Sequence, residues 1–219
     1  MRQQIHRLRE LPANEREAEA RRESLDNLRQ PFDLSKPPLI RARLLKLGEQ
    51  RHQLLLALHH MVADGWSVGV LFDEFSQLYR SLRAAQPVNL PPLPLQYADY
   101  AVWQHRLLSG ERLQRELGFW RAELAAAPQV LALPSDWPRP AQASSAGAAH
   151  ALRVPAELVA RLEALANAEG ASLYMVLLSA FQLLLHRLSG SDDLLLGTDV
   201  AGREAAELEG LIGFFVNVL

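Results

Sequence analysis

Polar and apolar blocks alternate along the first third of the chain and predict one helix and two strands. Residues 1–30 are polar and rich in arginine and glutamate, and opposite charges one turn apart predict a helix over residues 15–28. Two strands are predicted over residues 39–47 and 53–60, joined by a polar turn. The first alternates loosely, as a half-buried strand does, whereas the second is apolar on both faces, as a central strand is.

Helical spacing dominates the middle of the chain. A helix is predicted to begin near Ser67, because apolar residues recur at intervals of three and four after it. Proline-rich residues 87–94 exclude regular structure, and two further helices are predicted over residues 97–108 and 111–126. Residues 128–149 contain four prolines followed by a run of small residues, which makes them the best candidate linker.

A second group of elements is predicted after this linker. It comprises a strand over residues 151–154, a helix that begins at Pro155, a helix from about Leu173 capped by Ser172, and a strand over residues 193–200. A strand-like apolar run then continues to the last residue. Because chain termini are usually polar, we expect the protein to continue beyond this point.

Composition and charge exclude several classes of protein. The 219 residues are 49% hydrophobic and 22% charged, which is typical of a globular chain and not of a disordered one. Lys plus Arg number 23 and Asp plus Glu 25, so the net charge of −2 provides no basic surplus for nucleic acid or anionic lipid. Cysteine is absent, which excludes disulfides, a thiolate nucleophile and cysteine-based zinc sites.

The pattern of apolar segments also bears on location. Met1 leads into a charged stretch and not into the apolar run of a signal peptide. The most apolar segment, residues 173–185, is shorter than the ~20 residues that span a bilayer. We therefore expect a cytoplasmic protein that has no membrane partner and no nucleic-acid partner.

The segment from His59 to Ser67 carries the strongest chemical signal. Two histidines end the predicted buried strand, and Asp64 and Gly65 lie in the loop before a helix. Strand ends and the loops that follow them commonly carry catalytic groups. Because neighbouring residues of a strand point to opposite faces, His59 and His60 are predicted to face apart, one toward a cleft and the other toward the core or the loop.

This arrangement argues against a metal site. Adjacent histidines on a strand do not converge on one ion, and helical ligand pairs need a four-residue spacing that is absent here. The alternative interpretation of the two histidines is a core pair bonded to backbone. For Asp64 we favour a structural role in holding the loop, and the alternatives are an acid at a helix N-terminus or an Asx turn.

Residues 65–69 also match the G-x-S-x-G pattern of a serine nucleophile, here Ser67. The acid and the base of a triad would follow in the right chain order: Asp99 or Asp136, and His150 or His186. However, the pattern fixes only three positions, and loop residues separate it from the strand that should precede it directly. We favour a helix N-cap as the role of Ser67.

Three blocks of the chain match, in order, the motifs of one family. Residues 59–67 match HHxxxDGxS, residues 97–103 match YxDYAxW and residues 211–217 contain IGFFVN. Smaller phrases agree in the same order: residues 31–34, 119–121, 133–136 and 197–203. The chain therefore resembles the condensation domain of nonribosomal peptide synthetases over nearly its whole length.

The resemblance implies an α/β fold of two chloramphenicol-acetyltransferase-like lobes that form a V. Residues 1–135 would be the remainder of the N-terminal lobe, residues 136–148 a linker and residues 149–219 the first part of the C-terminal lobe. The family's first blocks, including RHxxLRT, would precede Met1, and the second half of the C-terminal lobe would follow Leu219. The fold of this chain is therefore expected to be incomplete.

The implied reaction is amide-bond formation by an acyltransferase. The amine of an acceptor aminoacyl thioester attacks a donor acyl or peptidyl thioester, and both are carried on the phosphopantetheine arms of carrier proteins. Donor and acceptor carrier proteins and adjacent synthetase domains are the implied partners, and no cofactor or metal is expected to bind directly. The resemblance gives His60 the central role, as a base or a positioning group, with His59 in support.

The resemblance also implies supporting roles around these histidines. Asp64 would hold the loop through an arginine, and Gly65 would let the backbone pass close to the thioester. If that arginine belongs to the RHxxLRT block, Arg41 or Arg43 is the candidate within this chain. Further residues are implied to support the motifs: Trp66, Ser67, Tyr97, Asp99, Trp103, Gly213 and Asn217.

Several alternatives stay open beside condensation. The HHxxxDG motif disfavours cyclisation, whereas epimerisation is compatible with it. Outside this chemistry, the chain would be a serine hydrolase built on Ser67 or a non-catalytic remnant that binds carrier proteins. Gly202 stands where asparagine is more common in the family, and nothing in the sequence explains it.

Overall fold

The computed structural model describes residues 4–6, 8–128, 130–138, 140–142, 144 and 147–219. Its strands and helices follow in this order: β1 (Gln4–His6), α1 (Ala13–Arg29), β2 (Ile40–Lys46), β3 (His52–Leu58), α2 (Gly65–Arg83), α3 (Tyr97–Leu107), α4 (Gly110–Glu123), α5 (Ala156–Ala168), α6 (Leu173–Ser189), β4 (Asp199–Val200) and β5 (Asn217–Val218). Short 3-10 turns occupy Leu8–Glu10, His60–Val62 and Ala206–Leu208.

Strands β1, β2 and β3 form the larger sheet in that order. β1 pairs parallel to β2, and β2 pairs antiparallel to β3, with Ile40 opposite Leu58 and Lys46 opposite His52. The polar turn between them closes where the N–H of Leu47 donates to the carbonyl of Arg51 at 2.9 Å. This hairpin confirms both strands that the sequence predicts here and brings the end of β3 close to the start of β2.

Helix α1 packs against this sheet. Ala20 joins Leu45 and Leu55 in a buried apolar cluster, and Glu23 pairs with Arg43 of β2 at 3.0 Å. Because α1 carries few apolar side chains, this largely buried ion pair supplements a small apolar contact. The helix predicted from charge spacing is therefore confirmed, and it extends slightly beyond the predicted bounds at both ends.

Helix α3 forms a second buried cluster with the segment that follows β4. Tyr100 of α3 packs with Leu208, Leu211 and Phe215, and Tyr97 lies against the same group. The rings of Tyr100 and Phe215 are 4.6 Å apart between centroids. This cluster holds the IGFFVN block against α3, although more than a hundred residues separate them in the sequence.

The chain divides into two compact units. The first comprises Met1–Leu108 with Thr198–Leu219, and the second comprises Ser109–Gly197. These units do not coincide with the boundaries expected from the family resemblance. The assignment of residues 1–135, 136–148 and 149–219 to a lobe, a linker and a second lobe stays a prediction.

In the second unit, α5 and α6 pack against each other. Ser172 caps α6, as predicted, by accepting the N–H of Met175 at 3.2 Å. Gly190, with φ of +69°, is the C-cap of this helix. Among the described residues, no single helix is long and apolar enough to cross a membrane. Of the described helices, only α5 and α6 taken together reach that length and apolar composition, and they are bent by 103° relative to each other.

Two predicted strands are corrected by the structure. Residues 151–154 form no strand, because a strand needs a neighbouring ladder and the described residues provide none for this segment. The strand predicted over residues 193–200 is reduced to β4, which pairs antiparallel with β5. The described residues of the predicted linker form no helix or strand. The other linker residues lie outside the described residues: Gln129, Arg139, Ala143, Ser145 and Ala146.

Candidate active site

The two motif histidines lie directly after β3, which ends at Leu58. The N–H of His59 donates to the carbonyl of Leu39 at 3.0 Å, and its Nδ1 accepts the N–H of Met61 at 3.1 Å. The imidazole of His59 therefore caps the 3-10 turn that carries His60. Because Nδ1 is an acceptor, a neutral His59 carries its proton on Nε2.

The rings of His59 and His60 contact different aromatic neighbours: Phe32 lies 6.0 Å from the ring of His59 and Phe214 lies 5.3 Å from that of His60. The expectation that the two histidines face apart stays a prediction. It rested on the alternation of a strand, and the strand ends one residue before the pair. Both histidines line one cavity of about 580 Å³, together with Phe32 and Arg41. His60 is exposed, and its ring meets the ring of Phe214 edge to face, with centroids 5.3 Å apart.

Asp64 holds the loop after the histidines through its backbone and its carboxylate. It is the N-cap of α2, and its Oδ1 accepts the N–H of Ser67 at 2.8 Å and the hydroxyl of Ser67 at 2.7 Å. Its Oδ2 accepts the N–H of Phe215 at 3.0 Å, while its own N–H donates to the carbonyl of Gly213 at 3.0 Å. The start of α2 is thus joined directly to the IGFFVN block.

The arginine partner of Asp64 is Arg203. Its Nη2 lies 3.1 Å from the carboxylate, and the two side chains are 1% and 0% exposed. The other nitrogen, Nη1, donates to the carbonyls of Leu208 and Leu211, and the guanidinium lies 3.9 Å from the centroid of the Phe215 ring. Arg203 therefore fastens the loop and the turn before the IGFFVN block at the same time.

The candidate partners Arg41 and Arg43 are thereby corrected. Arg41 donates to the backbone carbonyls of Asn27, Gln30 and Pro31, at the end of α1. Arg43 pairs with Glu23 of α1 at 3.0 Å. Both arginines are committed to α1, so the guanidinium that the loop needs comes from the far end of the chain.

The ionisation of Asp64 follows from these contacts. Burial of the carboxylate raises the pKa of Asp64, because water no longer solvates its charge. Hydrogen bonds from Ser67 and Phe215, together with the guanidinium of Arg203, outweigh burial and lower this pKa to about 2. Asp64 is therefore ionised at neutral pH and acts as a fixed negative charge in the loop.

Ser67 is a buried member of this network. It is 1% exposed, and its hydroxyl accepts the N–H of Gly213 at 3.0 Å and Nη2 of Arg203 at 2.9 Å. Its proton lies within reach of Asp64 Oδ1 and of the Gly213 carbonyl, at 2.7 and 2.8 Å. A nucleophilic serine must be reachable by substrate, so the hydrolase hypothesis is wrong. The predicted N-cap role of Ser67 is also wrong, because Asp64 occupies that position.

Gly202 and Gly213 permit close backbone approach in this network. A Cβ on Gly213 would lie 2.2 Å from Cδ2 of Tyr97, so no side chain fits there. Gly202 has φ of +65°, and a Cβ on it would lie 2.1 Å from the carbonyl oxygen of Phe215. Positive φ is tolerated by glycine and asparagine, but the close approach of the Phe215 carbonyl leaves no room for the Cβ of asparagine, so this structure favours glycine at position 202.

The remaining predicted residues lie at different depths. The indole N–H of Trp66 donates to the carbonyl of Glu209 at 2.9 Å, and Asp99 accepts the N–H of Gln96 at 2.8 Å at the start of α3. Trp103 is half exposed and packs on Tyr100. Gly65 directly follows Asp64 and has open space where a Cβ would lie, and Asn217 lies in β5.

Sequence reasoning missed two residues of this site. Arg203 belongs to a phrase that matches the family, yet no role was derived for it, because nothing local links it to residue 64. Phe214 lies in the IGFFVN block, and only the folded chain brings its ring to His60. Among the described residues, no group of three His, Asp or Glu side chains converges as metal ligands.

The fold and the site together define a condensation-type α/β fold of the chloramphenicol-acetyltransferase kind. A model of the Condensation domain family matches residues 2–219, and the chain belongs to that family. It is 46% identical over 215 residues to Chondramide synthase cmdD of Chondromyces crocatus, covering 98% of this chain and 6% of that protein. It is 46% identical over 212 residues to Phosphinothricin tripeptide synthetase PhsC of Streptomyces viridochromogenes, covering 97% and 20%.

Solved structures give the same result. The X-domain from teicoplanin biosynthesis matches with a TM-score of 0.85 and 33% identity, over 100% of this chain and 48% of that one. The first condensation domain of the calcium-dependent antibiotic synthetase, in complex with a substrate analogue, matches with a TM-score of 0.76 and 25% identity, over 100% and 50%. The chain therefore spans about half the length of these structures and a small part of the synthetases that it matches.

Proposed function

We propose that the complete domain containing this chain forms an amide bond between two thioesters held on carrier proteins. The observation that supports this most strongly is the contrast between His60 and its surroundings. His60 is exposed at the edge of a cavity, whereas the loop behind it is fastened by the buried residues Asp64, Ser67 and Arg203. A rigid loop that presents one accessible imidazole is suited to hold or deprotonate a nucleophile.

The proposed chemistry is attack by the acceptor amine on the donor thioester. A C–N bond forms, the C–S bond breaks and the phosphopantetheine thiol leaves. An α-amino group has a pKa of about 8 and is mostly protonated at neutral pH, so a proton must leave the nitrogen during the reaction. His60 accepts that proton or orients the amine by a hydrogen bond, and it contributes about 10²–10⁴-fold as a base.

The neighbouring residues take supporting roles in this proposal. His59 holds the 3-10 turn through its Nδ1, and Asp64 holds the loop as an ion. Gly65, which has open space where a Cβ would lie, lets the thioester pass close to the backbone. Donor and acceptor carrier proteins and adjacent synthetase domains are the proposed partners, since the relatives are large synthetases of which this chain matches a small part.

A matched pair of variants tests the proposal. His60→Ala and His52→Ala remove exposed imidazoles at opposite ends of the same hairpin segment, and only the first lies at the cavity. A complete condensation domain carrying each change is mixed with donor and acceptor carrier proteins loaded with aminoacyl groups. We expect mass spectrometry of the acceptor to show dipeptidyl product with His52→Ala and at least 10²-fold less with His60→Ala. Equal product from both variants contradicts the proposal.

A protein-binding role without catalysis is the second candidate. The observation in its favour is that another matched structure is a complex of the X-domain with OxyB from teicoplanin biosynthesis, at a TM-score of 0.81 and 32% identity. In that case, the complete domain binds a loaded carrier protein but yields no amide product, and His60→Ala leaves that binding unchanged. Calorimetry with one loaded carrier protein, followed by the product assay, separates the two functions.

A further inference from the structure

The backbone on both sides of Phe214 is fixed by hydrogen bonds to the motif loop. On one side, the carbonyl of Gly213 accepts the N–H of Asp64 at 3.0 Å, and its N–H donates to the hydroxyl of Ser67 at 3.0 Å. On the other side, the N–H of Phe215 donates to the carboxylate of Asp64 at 3.0 Å. The groups that hold Phe214 in place are therefore the same ones that hold the loop after His60.

Phe214 itself is held by a third contact. Its carbonyl accepts the hydroxyl of Tyr97 at 2.8 Å, which ties it to α3. Its two neighbours are buried, but its own side chain is 39% exposed and is directed at His60. The two rings meet at an interplanar angle of 78°, which is the edge-to-face arrangement that aromatic pairs prefer.

We propose that Phe214 is a positioning residue for His60. An exposed imidazole on a short turn samples several rotamers, and a neighbouring ring of fixed position favours one of them. Because the backbone around Phe214 is bonded to the same loop, the ring and the imidazole keep a constant relation. Phe214 therefore raises the fraction of molecules in which His60 is correctly directed, and it contributes little to substrate affinity.

This inference rests on the proposed function of His60, so its test includes a readout that is independent of activity. Three variants of the complete domain are compared: Phe214→Leu, Phe214→Tyr and Phe75→Leu. Phe75 is the matched control, because it is also a partly exposed phenylalanine in contact with one aromatic ring, that of Tyr79. Histidine rings are labelled with carbon-13, and the His60 signal is identified by its loss in His60→Ala.

In Phe214→Leu, we expect the His60 ring signals to shift, because the ring current of Phe214 is lost. We expect kcat for amide formation to fall by about threefold to tenfold, with KM within about twofold of the wild-type value. Phe214→Tyr keeps an aromatic ring and should retain both the signals and kcat. Phe75→Leu should change neither.

Two results contradict the account in different ways. Unmoved His60 signals or an unchanged kcat in Phe214→Leu, in a domain that forms amide normally, overturn the role of Phe214 alone. A wild-type domain that makes no amide from loaded carrier proteins overturns the proposed function, and with it the reason to position His60.

Discussion

The guanidinium of Arg203 lies 3.1 Å from the carboxylate of Asp64, and neither side chain is accessible to solvent. The two residues are 139 positions apart in the sequence. Their contact joins the loop after the motif histidines to the segment that leads into the IGFFVN block. The pair therefore couples the position of the motif loop to the packing of a distant segment, and its contribution to the free energy of unfolding can be measured.

Removing one member of this pair should be strongly destabilising. Arg203→Met leaves the Asp64 carboxylate buried without its cation, and such a change costs about 3–5 kcal/mol. Arg9→Met is the matched control, because Arg9 pairs with Glu49 on the surface, where such pairs contribute about 0–1 kcal/mol. Urea unfolding of the complete domain measures both. Equal losses of unfolding free energy in the two variants would show that the buried pair stabilises the fold no more than the surface pair does.

Stability should depend on the charge of Asp64 at acidic pH. Its pKa of about 2 in the folded protein lies below the ordinary value of about 4 in the unfolded chain. The ionised carboxylate of Asp64 therefore stabilises the folded state by about 2 kcal/mol above about pH 4, and this stabilisation is lost as the pH falls from 4 toward 2. Urea unfolding across this range measures it. Asp64→Asn should show a smaller dependence on pH in the same interval, and an identical dependence contradicts the assignment.

Gly65 and Gly213 should respond differently to alanine. A Cβ on Gly65 meets no atom within 4 Å, so Gly65→Ala should leave the unfolding free energy unchanged within about 0.5 kcal/mol. Amide formation should nevertheless fall, because the methyl group enters the space proposed for the thioester. Gly213→Ala should lower stability directly, since its Cβ would overlap the ring of Tyr97. Unfolding and product assays on both variants test this contrast.

Gly202 and Gly170 allow backbone strain to be separated from crowding. Both have positive φ, +65° and +60°, but only Gly202 has an atom within 3 Å of the ideal Cβ position. Gly170→Ala should cost about 1–2 kcal/mol from the left-handed backbone alone. Gly202→Ala should cost more, because the Phe215 carbonyl must also move. Equal losses in thermal or urea unfolding would contradict the close approach at Gly202.

Ser67 should act as a structural residue and not as a nucleophile. Ser67→Ala removes a buried hydroxyl that satisfies Gly213 and Arg203, and the loss should be about 1–3 kcal/mol. Folded wild-type protein should not be labelled at Ser67 by a fluorophosphonate. Peptide mass spectrometry after labelling gives the answer, and a stoichiometric adduct on Ser67 would restore the hydrolase hypothesis.

Local patterns were sufficient to predict most helices and the main hairpin. The spacing of apolar residues after Ser67 predicts α2, and the cap at Ser172 predicts the start of α6, because both signals act within a few residues. Burial was not predictable in the same way. Phe72 and Tyr79, on the apolar positions of α2, are about half exposed in this chain.

The features that sequence reasoning missed depend on contacts between distant segments. Residues 151–154 have the pattern of a strand, but the pattern does not provide a neighbouring strand. The strand predicted to end at residue 60 ends at Leu58, because the chain turns into a 3-10 helix at His60. The partner of Asp64 was missed because only the folded chain brings Arg203 to the loop.

His60 is, in this account, the accessible group for which the buried network holds the loop. The most direct test is the single-turnover rate of amide formation in a complete domain, compared between His60→Ala and His52→Ala. We predict that His60→Ala is slower than the wild type by about 10²-fold or more. We predict that His52→Ala stays within about twofold of it. Wild-type rates for both variants would contradict the account.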